Sequence, residues 1–473
     1  MELETSYTIS QGLFLKLLGL NYLCAFISLL MQIKGLYGSG GIAPFNDLLR
    51  LVRQAYGKKS FRSIPTLFWI NASNPMLFTM VWIGIIASML CVLGFFPAPI
   101  LAVMWVIYFS FYNIGSPFLN YQWDVLLLEV GSLGILFAVQ SPPPILIVYL
   151  LWFLLFRFMF SSGYMKLIWG SIEWRDLTAM KYHYETQPLP TRLAYYAHQR
   201  PLWLSKASVL GVYFFELIVP LFIFSPEIIQ ALVCVLLIAF QLLIIATGNY
   251  AFFNTLSITM CIPLLPDRFL THFESFARFS PIFGENAFVS LTFSIIAMVL
   301  FFANVLEFAA LFAQSRIIQK ILSPFHDFCC AAPYGLFVRM TTYRDEIIIE
   351  GSQDMQIWKA YEFKWKPGDL YHAPGFVAPH QPRLDWQMWF ASLSDYQHVP
   401  WFQNFLFCLL EGSEDVLDLL KVNPFPDNPP KYIRASLYRY HFTDSSSKQK
   451  TGRWWNRSYI GQYSPVLSSC DIS

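Results

Sequence analysis

Nine runs of 16 to 25 mostly apolar residues recur along the first two thirds of this chain, and no feature limits its fold more. A helix needs about 20 such residues, at 1.5 Å each, to cross a ~30 Å hydrocarbon core. The candidates are 12–33, 77–96, 98–114, 123–140, 145–162, 208–224, 228–247, 250–265 and 288–312. The third, sixth and eighth are short, so about eight or nine spans are expected. With 56% hydrophobic and only 13% charged residues, the composition lies outside the soluble globular range. The fold class is a polytopic α-helical membrane protein. A net charge of +2 with no basic stripe excludes a nucleic-acid partner.

Charge divides the chain. Residues 1–332 hold 33 Asp, Glu, Lys and Arg, whereas residues 333–473 hold 29 in less than half the length. This predicts a helical transmembrane domain over 1–332, with polar loops 34–75 and 163–202, and a soluble C-terminal α+β, strand-rich domain over 333–473. In the tail, alternation over 357–366 predicts a strand. A hairpin is expected from 334–341 and 344–351, and helices over 383–394, 399–410 and 413–421. Strands are expected at 431–442 and 454–463, with a solvated turn at 445–450. Cys408 and Cys470 could pair in an oxidising compartment. Glu2 and Glu4 stand where a signal peptide would be basic, so the first span is expected to be a retained anchor. No metal-ligand spacing, phosphate loop or other cofactor motif is present, and His183, Glu185 and His198 are poorly spaced for a metal.

Ionisable residues inside apolar spans are costly, roughly 2.5–3.5 kcal/mol each at a helix centre, and need partners or a task. Asp124, Glu129, Arg157, Glu216 and Glu307 are of this kind. Asp124 and Glu129, five residues apart, point about 140° apart on a helix and do not form a carboxylate pair. Arg157 is expected to pair with Glu129 or Glu216. Lys166 either snorkels to the interface or, if desolvated, serves as a base.

Several motifs carry a family resemblance. They are Tyr22–Ile42, the run Tyr-Gln-Trp-Asp-Val-Leu-Leu-Leu-Glu-Val-Gly at 121–131, and Trp174-Arg-Asp-Leu-Thr-Ala-Met-Lys-Tyr-His-Tyr-Glu-Thr-Gln-Pro-Leu-Pro at 174–190. In the tail they are Tyr361–Gly368, Arg383–Ala391, Asn423-Pro-Phe425, Tyr438-Arg-Tyr440 and Trp454-Trp455. Together they resemble the lipase maturation factor family from Tyr22 to Pro465. The resemblance implies a membrane-resident, chaperone-like factor, without a cofactor, that helps secreted lipases fold and assemble. It lies in the endoplasmic reticulum membrane in a eukaryote, or in the inner membrane in a bacterium. The expected partners are client proteins and membrane lipids. The client-contacting residues would be Trp174, Arg175, Asp176, His183, Tyr184, Glu185, Gln187, Arg383, Asp385 and Trp386.

The spacing of Gly163, Lys166 and Trp174 faintly resembles the membrane domain of vitamin K-dependent gamma-carboxylases. With the cost of holding such groups beside the bilayer, this gives an alternative: an enzyme acting on a lipid or quinol-like substrate, with Lys166 as base in a cavity lined by Arg157, Trp174 and His183. The basic loop 34–75 would face the cytoplasm under the positive-inside rule. The family pattern instead places the tail outside, and that orientation is the one expected here.

Overall fold

The computed structural model describes residues 6–313, 315–468 and 470. Glu2 and Glu4 lie outside them. Among the described residues, seven helices are long and apolar enough to cross a membrane: α1 (Thr8–Leu30), α2 (Asn74–Leu93), α3 (Pro97–Ile114), α5 (Ile145–Ile168), α6 (Leu202–Phe224), α7 (Glu227–Thr247) and α9 (Ala287–Ala310). Between them run α4 (Gln122–Ala138), of 17 residues, and the shorter α8 (Phe253–Leu264). The sixth span is therefore longer than its apolar core suggested, because Leu202–Lys206 extend the helix before Ser208. Local chemistry sets the ends. Gly94 stops α2 at φ +87, and Pro97 occupies the first turn of α3, where no N–H is needed. Asn286 caps α9 by accepting from the Val289 N–H.

Contacts at the two ends of α1 establish the direction of the bundle. Its first residues meet Asp267, which accepts from Ile9 N–H at 2.8 Å, and Gln11 donates to the Phe137 and Gln140 carbonyls. Its last turns meet the tail, where Ser28 and Gln32 bond residues 380–383. The start of α1 and the tail therefore lie on opposite faces. Loops 34–75 and 163–202 both lie on the tail side: Lys34 pairs with Asp415 at 2.6 Å, and Glu185 accepts from Phe442 N–H at 2.6 Å.

The tail is built on a four-stranded antiparallel sheet of order β2-β1-β5-β6. The strands are β1 (Arg344–Ser352), β2 (Lys359–Ala360), β5 (Tyr432–Phe442) and β6 (Trp455–Ser468), while β3 (Glu362–Phe363) pairs with β4 (Leu420–Val422). Four further helices are α10 (Arg316–Asp327), α11 (Arg383–Ser392), α12 (Pro400–Glu411) and α13 (Ser445–Thr451).

The strands expected at 431–442 and 454–463 form and pair, and so do the helices at 383–394 and 399–410. Four expectations need correction. The 334–341 segment forms no hairpin with β1, because Tyr334 is drawn to the membrane domain by a hydrogen bond to Glu129 and β1 pairs with β5 instead. The strand over 357–366 splits into β2 and β3, which belong to different sheets. The third helix stops at Leu417, and the chain turns into β4. The turn at 445–450 is a helix, since Asp444 caps it by accepting from Ser447 N–H at 2.8 Å. Cys408 and Cys470 are both free thiols.

Candidate functional site

Each of the intramembrane charges in α4 and α5 is paired, and the pairs have different jobs. Arg157 donates to Glu129, Asn304 and the Ala332 carbonyl, and Glu129 also accepts from Tyr334. That knot joins α4, α5 and α9 to the start of the tail. Breaking such a pair leaves a buried charge uncompensated, so it fixes register whether or not it adds net stability. Asp124 points elsewhere, as the helical angle required. It accepts from Arg383 Nη2 at 2.8 Å and Nη1 at 3.0 Å, and from the Tyr108 hydroxyl.

Lys166 does not snorkel. It is 3% exposed, with Nζ 2.7 Å from both carboxylate oxygens of Glu216 and 5.4 Å from the centre of the Trp174 ring. A single π turn at Phe214–Ile218 within α6 swings Glu216 inward to meet it. Gly163 makes the approach possible, because a Cβ there would lie 2.8 Å from Glu216 Cβ.

The ion pair stands in the wall of a cavity of about 330 Å³ between α5, α6 and α7. Lys166, Trp174, His183 and Tyr184 line it, but Arg157 does not, being enclosed in its own knot. A Lys166 base would require a neighbour that discharges the ammonium. The neighbour present is a carboxylate that matches its charge, so the alternative enzyme reading is not supported.

The cavity roof is polar and ordered. Gln187 donates to the Thr247 carbonyl at 2.8 Å, so its oxygen is free to accept from the Tyr250 hydroxyl at 2.6 Å. With that proton committed, His183 Nε2, 3.0 Å away, carries a hydrogen and donates it to Tyr250. Burial disfavours a charged ring, pushing His183 down to about 4 with Lys166 adding to it. Trp174 donates to the Phe337 carbonyl at 2.9 Å.

Among the residues that fasten the 163–202 loop to the tail is one that its sequence pattern did not single out. Arg344, 1% exposed, donates to the carbonyls of Glu185, Gln187 and Pro188. Its charge is met by Glu346 at 2.6 Å, which Lys366 also reaches at 2.9 Å. A buried guanidinium on three carbonyls gives a loop one shape, since its planar fork fixes their directions. Its only sequence signal was an arginine at the head of an apolar strand. Trp389 donates to the Thr186 carbonyl at 2.8 Å, closing the same seam.

The expected client-contacting residues thus fall into two groups. Trp174, Glu185, Gln187, Arg383, Asp385 and Trp386 are buried in the seam between tail and membrane domain. Asp385 accepts from the Trp365 and Lys366 N–H groups at 2.9 Å, and burial raises its carboxyl to about 6. Trp386 packs edge-on against Trp123, ring centres 5.0 Å apart. His183 and Tyr184 are half-buried, and Arg175 and Asp176 are exposed. His183 bonds Tyr250, whereas Glu185 accepts from Phe442 N–H and His198 packs edge-on against the Phe442 ring. Among the described residues, no group of three or more His, Cys, Asp or Glu is placed to hold a metal ion.

Comparison with known proteins agrees on both halves. Residues 9–272 match the family model for the lipase maturation factor transmembrane domain, and residues 330–465 match that for the lipase maturation factor C-terminal domain. Lipase maturation factor 2 of Gallus gallus is 34% identical over 97% of this chain and 81% of its own length. Lipase maturation factor 1 of Homo sapiens is 31% identical, over 98% of this chain and 88% of its own. No solved structure matches the chain.

Proposed function

Because this chain belongs to the lipase maturation factor family, we propose that it assists the folding and assembly of secreted lipases at the endoplasmic reticulum membrane, with the tail outside the cytoplasm. The domain boundary at 332/333 serves that reading, since it sets a soluble body on one face of an integral membrane anchor. One observation supports placing the client on the tail. β6 is a 14-residue edge strand paired only through β5, and from Asn456 to Val466 its outer edge has no strand partner among the described residues. A long exposed edge is a template for an added strand, and natural proteins usually blunt it. Tyr459 and Ile460 lie on it, 60% and 46% exposed.

In this reading an extended segment of an unfinished lipase adds to β6. Arg175 and Asp176 offer a polar contact on the loop side, while the buried seam residues hold both surfaces in place. A photoreactive residue at Tyr459, in the native membrane, should capture a secreted lipase during its synthesis. Capture of that lipase from a site on α9 but never from Tyr459 would sink the placement, and capture from neither would sink the function.

A further inference from the structure

The cavity beside Lys166 has a shape that client handling does not explain. Its walls are the C-terminal half of α5, the upper part of α6 and the C-terminal half of α7, so it lies in the tail-facing half of the membrane. α6 packs on α7 mainly through its lower half, Phe214–Phe224, and the two helices part above that point. The gap between them is flanked by Leu210, Phe214 and Leu243, which are 55%, 45% and 63% exposed. Around such a helix the bilayer is the solvent, so the mouth opens sideways into hydrocarbon.

Gly211 is a second, independent observation. It sits in the apolar interior of α6, where glycine costs about 1 kcal/mol relative to alanine. A Cβ built on it would meet nothing within 4 Å, because it faces the open space. The only charges in the lining, Lys166 and Glu216, neutralise each other. The rest is chiefly apolar, including Phe158, Met159, Phe215 and Phe240.

We propose that this cavity binds one long acyl chain, entering from the membrane between α6 and α7, with its polar end at the roof formed by Trp174, His183 and Tyr184. At roughly 30 Å³ per water in the liquid, the space equals about eleven waters, so it takes up one stretch of chain and leaves the remainder in the bilayer. An acyl chain gains no hydrophobic free energy on moving from bilayer to protein, so occupancy rests on close packing. The ligand is therefore one abundant in the membrane itself. Arg175, next to Trp174 in the chain, and Lys206, two residues before Ser208, are exposed, with Asp176 close enough to Lys206 to feel its charge; the two cations suit an anionic head group, either a phosphate or a free carboxylate.

The test uses the full-length protein in vesicles containing a phospholipid with a diazirine near its chain end, and in parallel a diazirine fatty acid. Label is mapped by mass spectrometry. The proposal expects label at Phe158–Lys166 and Phe240–Thr247 at least tenfold above that at the lipid-facing side of α9, around Ile295 and Val299. Gly211→Trp fills the space without a backbone clash and should remove the excess while leaving α9 labelling unchanged. Ser208→Trp, one turn away in the same lining, is the second blocking variant should the first fail to fold. Excess label from the phospholipid alone assigns a phosphate head group, and from the fatty acid alone a carboxylate. Label no stronger than at α9, or excess label that neither folded variant reduces, overturns the proposal.

Discussion

Replacing Asp124 by Asn should loosen the tail from the membrane domain, and its size can be worked from the geometry. Arg383 is 1% exposed, and its guanidinium rests on Asp124, the Phe118 carbonyl at 2.7 Å and the Tyr108 hydroxyl at 3.3 Å. Among the described residues, Asp124 supplies the only opposite charge within salt-bridge distance. Asn keeps one acceptor but turns an amide NH₂ toward a donor fork and leaves the cation uncompensated. Removing one partner of a buried pair costs about 3–5 kcal/mol. If that cost falls on docking, the undocked population rises by about 10² to 4 × 10³, since each 1.4 kcal/mol is tenfold. Hydrogen exchange of the Trp386–Ala391 amides in a mild detergent should accelerate by that factor. A second variant, Asp124→Leu with Arg383→Met, removes both charges and should recover most of the protection. Exchange within tenfold of the parent in Asp124→Asn would refute the reasoning. So would a double variant as open as the single one, because the pair would then carry no coupling.

Acid should loosen the same seam by another route. Burial pushes both His183 and His380 down to about 4, so between that value and the ordinary 6.5 the unfolded chain binds more protons and stability rises with pH. At pH 5 each histidine costs on the order of 2 kcal/mol relative to pH 7; the thermal midpoint should fall between pH 6.5 and 4.5, and His183→Asn with His380→Asn should flatten that slope. Gly35→Ala should lower the midpoint by the equivalent of about 1–3 kcal/mol, because its Cβ would stand 2.2 Å from the Asp415 carbonyl; an unchanged midpoint would mean that this corner of the tail is free to move. Asn456, in an Asn-Arg-Ser sequon on exposed β6, should carry a glycan removable by an endoglycosidase after synthesis into microsomes; an unmodified Asn456 beside a glycosylated control would argue for a cytoplasmic tail.

The spans were legible because hydropathy acts residue by residue and the bilayer imposes one length. The β5 and β6 strands were expected close to their observed bounds, on either side of the 443–454 segment. What sequence patterns missed is pairing at a distance. β1 meets β5 with Arg344 opposite Tyr440, a match no local signal encodes. The 334–341 segment looked like a strand, yet the demand of Glu129 for a donor outweighed it. The cap at Asp444 was a readable signal, hidden by a serine-rich run that suggested a loop. At the site, the charged positions in the spans and the 174–190 run were visible from their cost. Whether a buried charge serves an ion pair, a carbonyl clamp or a cavity wall depends on neighbours 28 to 259 positions away.

The Asp124–Arg383 contact also sets a problem of timing. The two residues are separated by 259 positions, and translation at about 5–20 residues per second puts roughly 13–52 s between their syntheses. Throughout that interval a carboxylate sits in a half-built membrane bundle with Tyr108 as its nearest help. Ser28 waits longer still for residue 380. A nascent chain of this protein therefore has a long window in which its first helices are inserted but unfinished, and the last third of the polypeptide must arrive before they are complete.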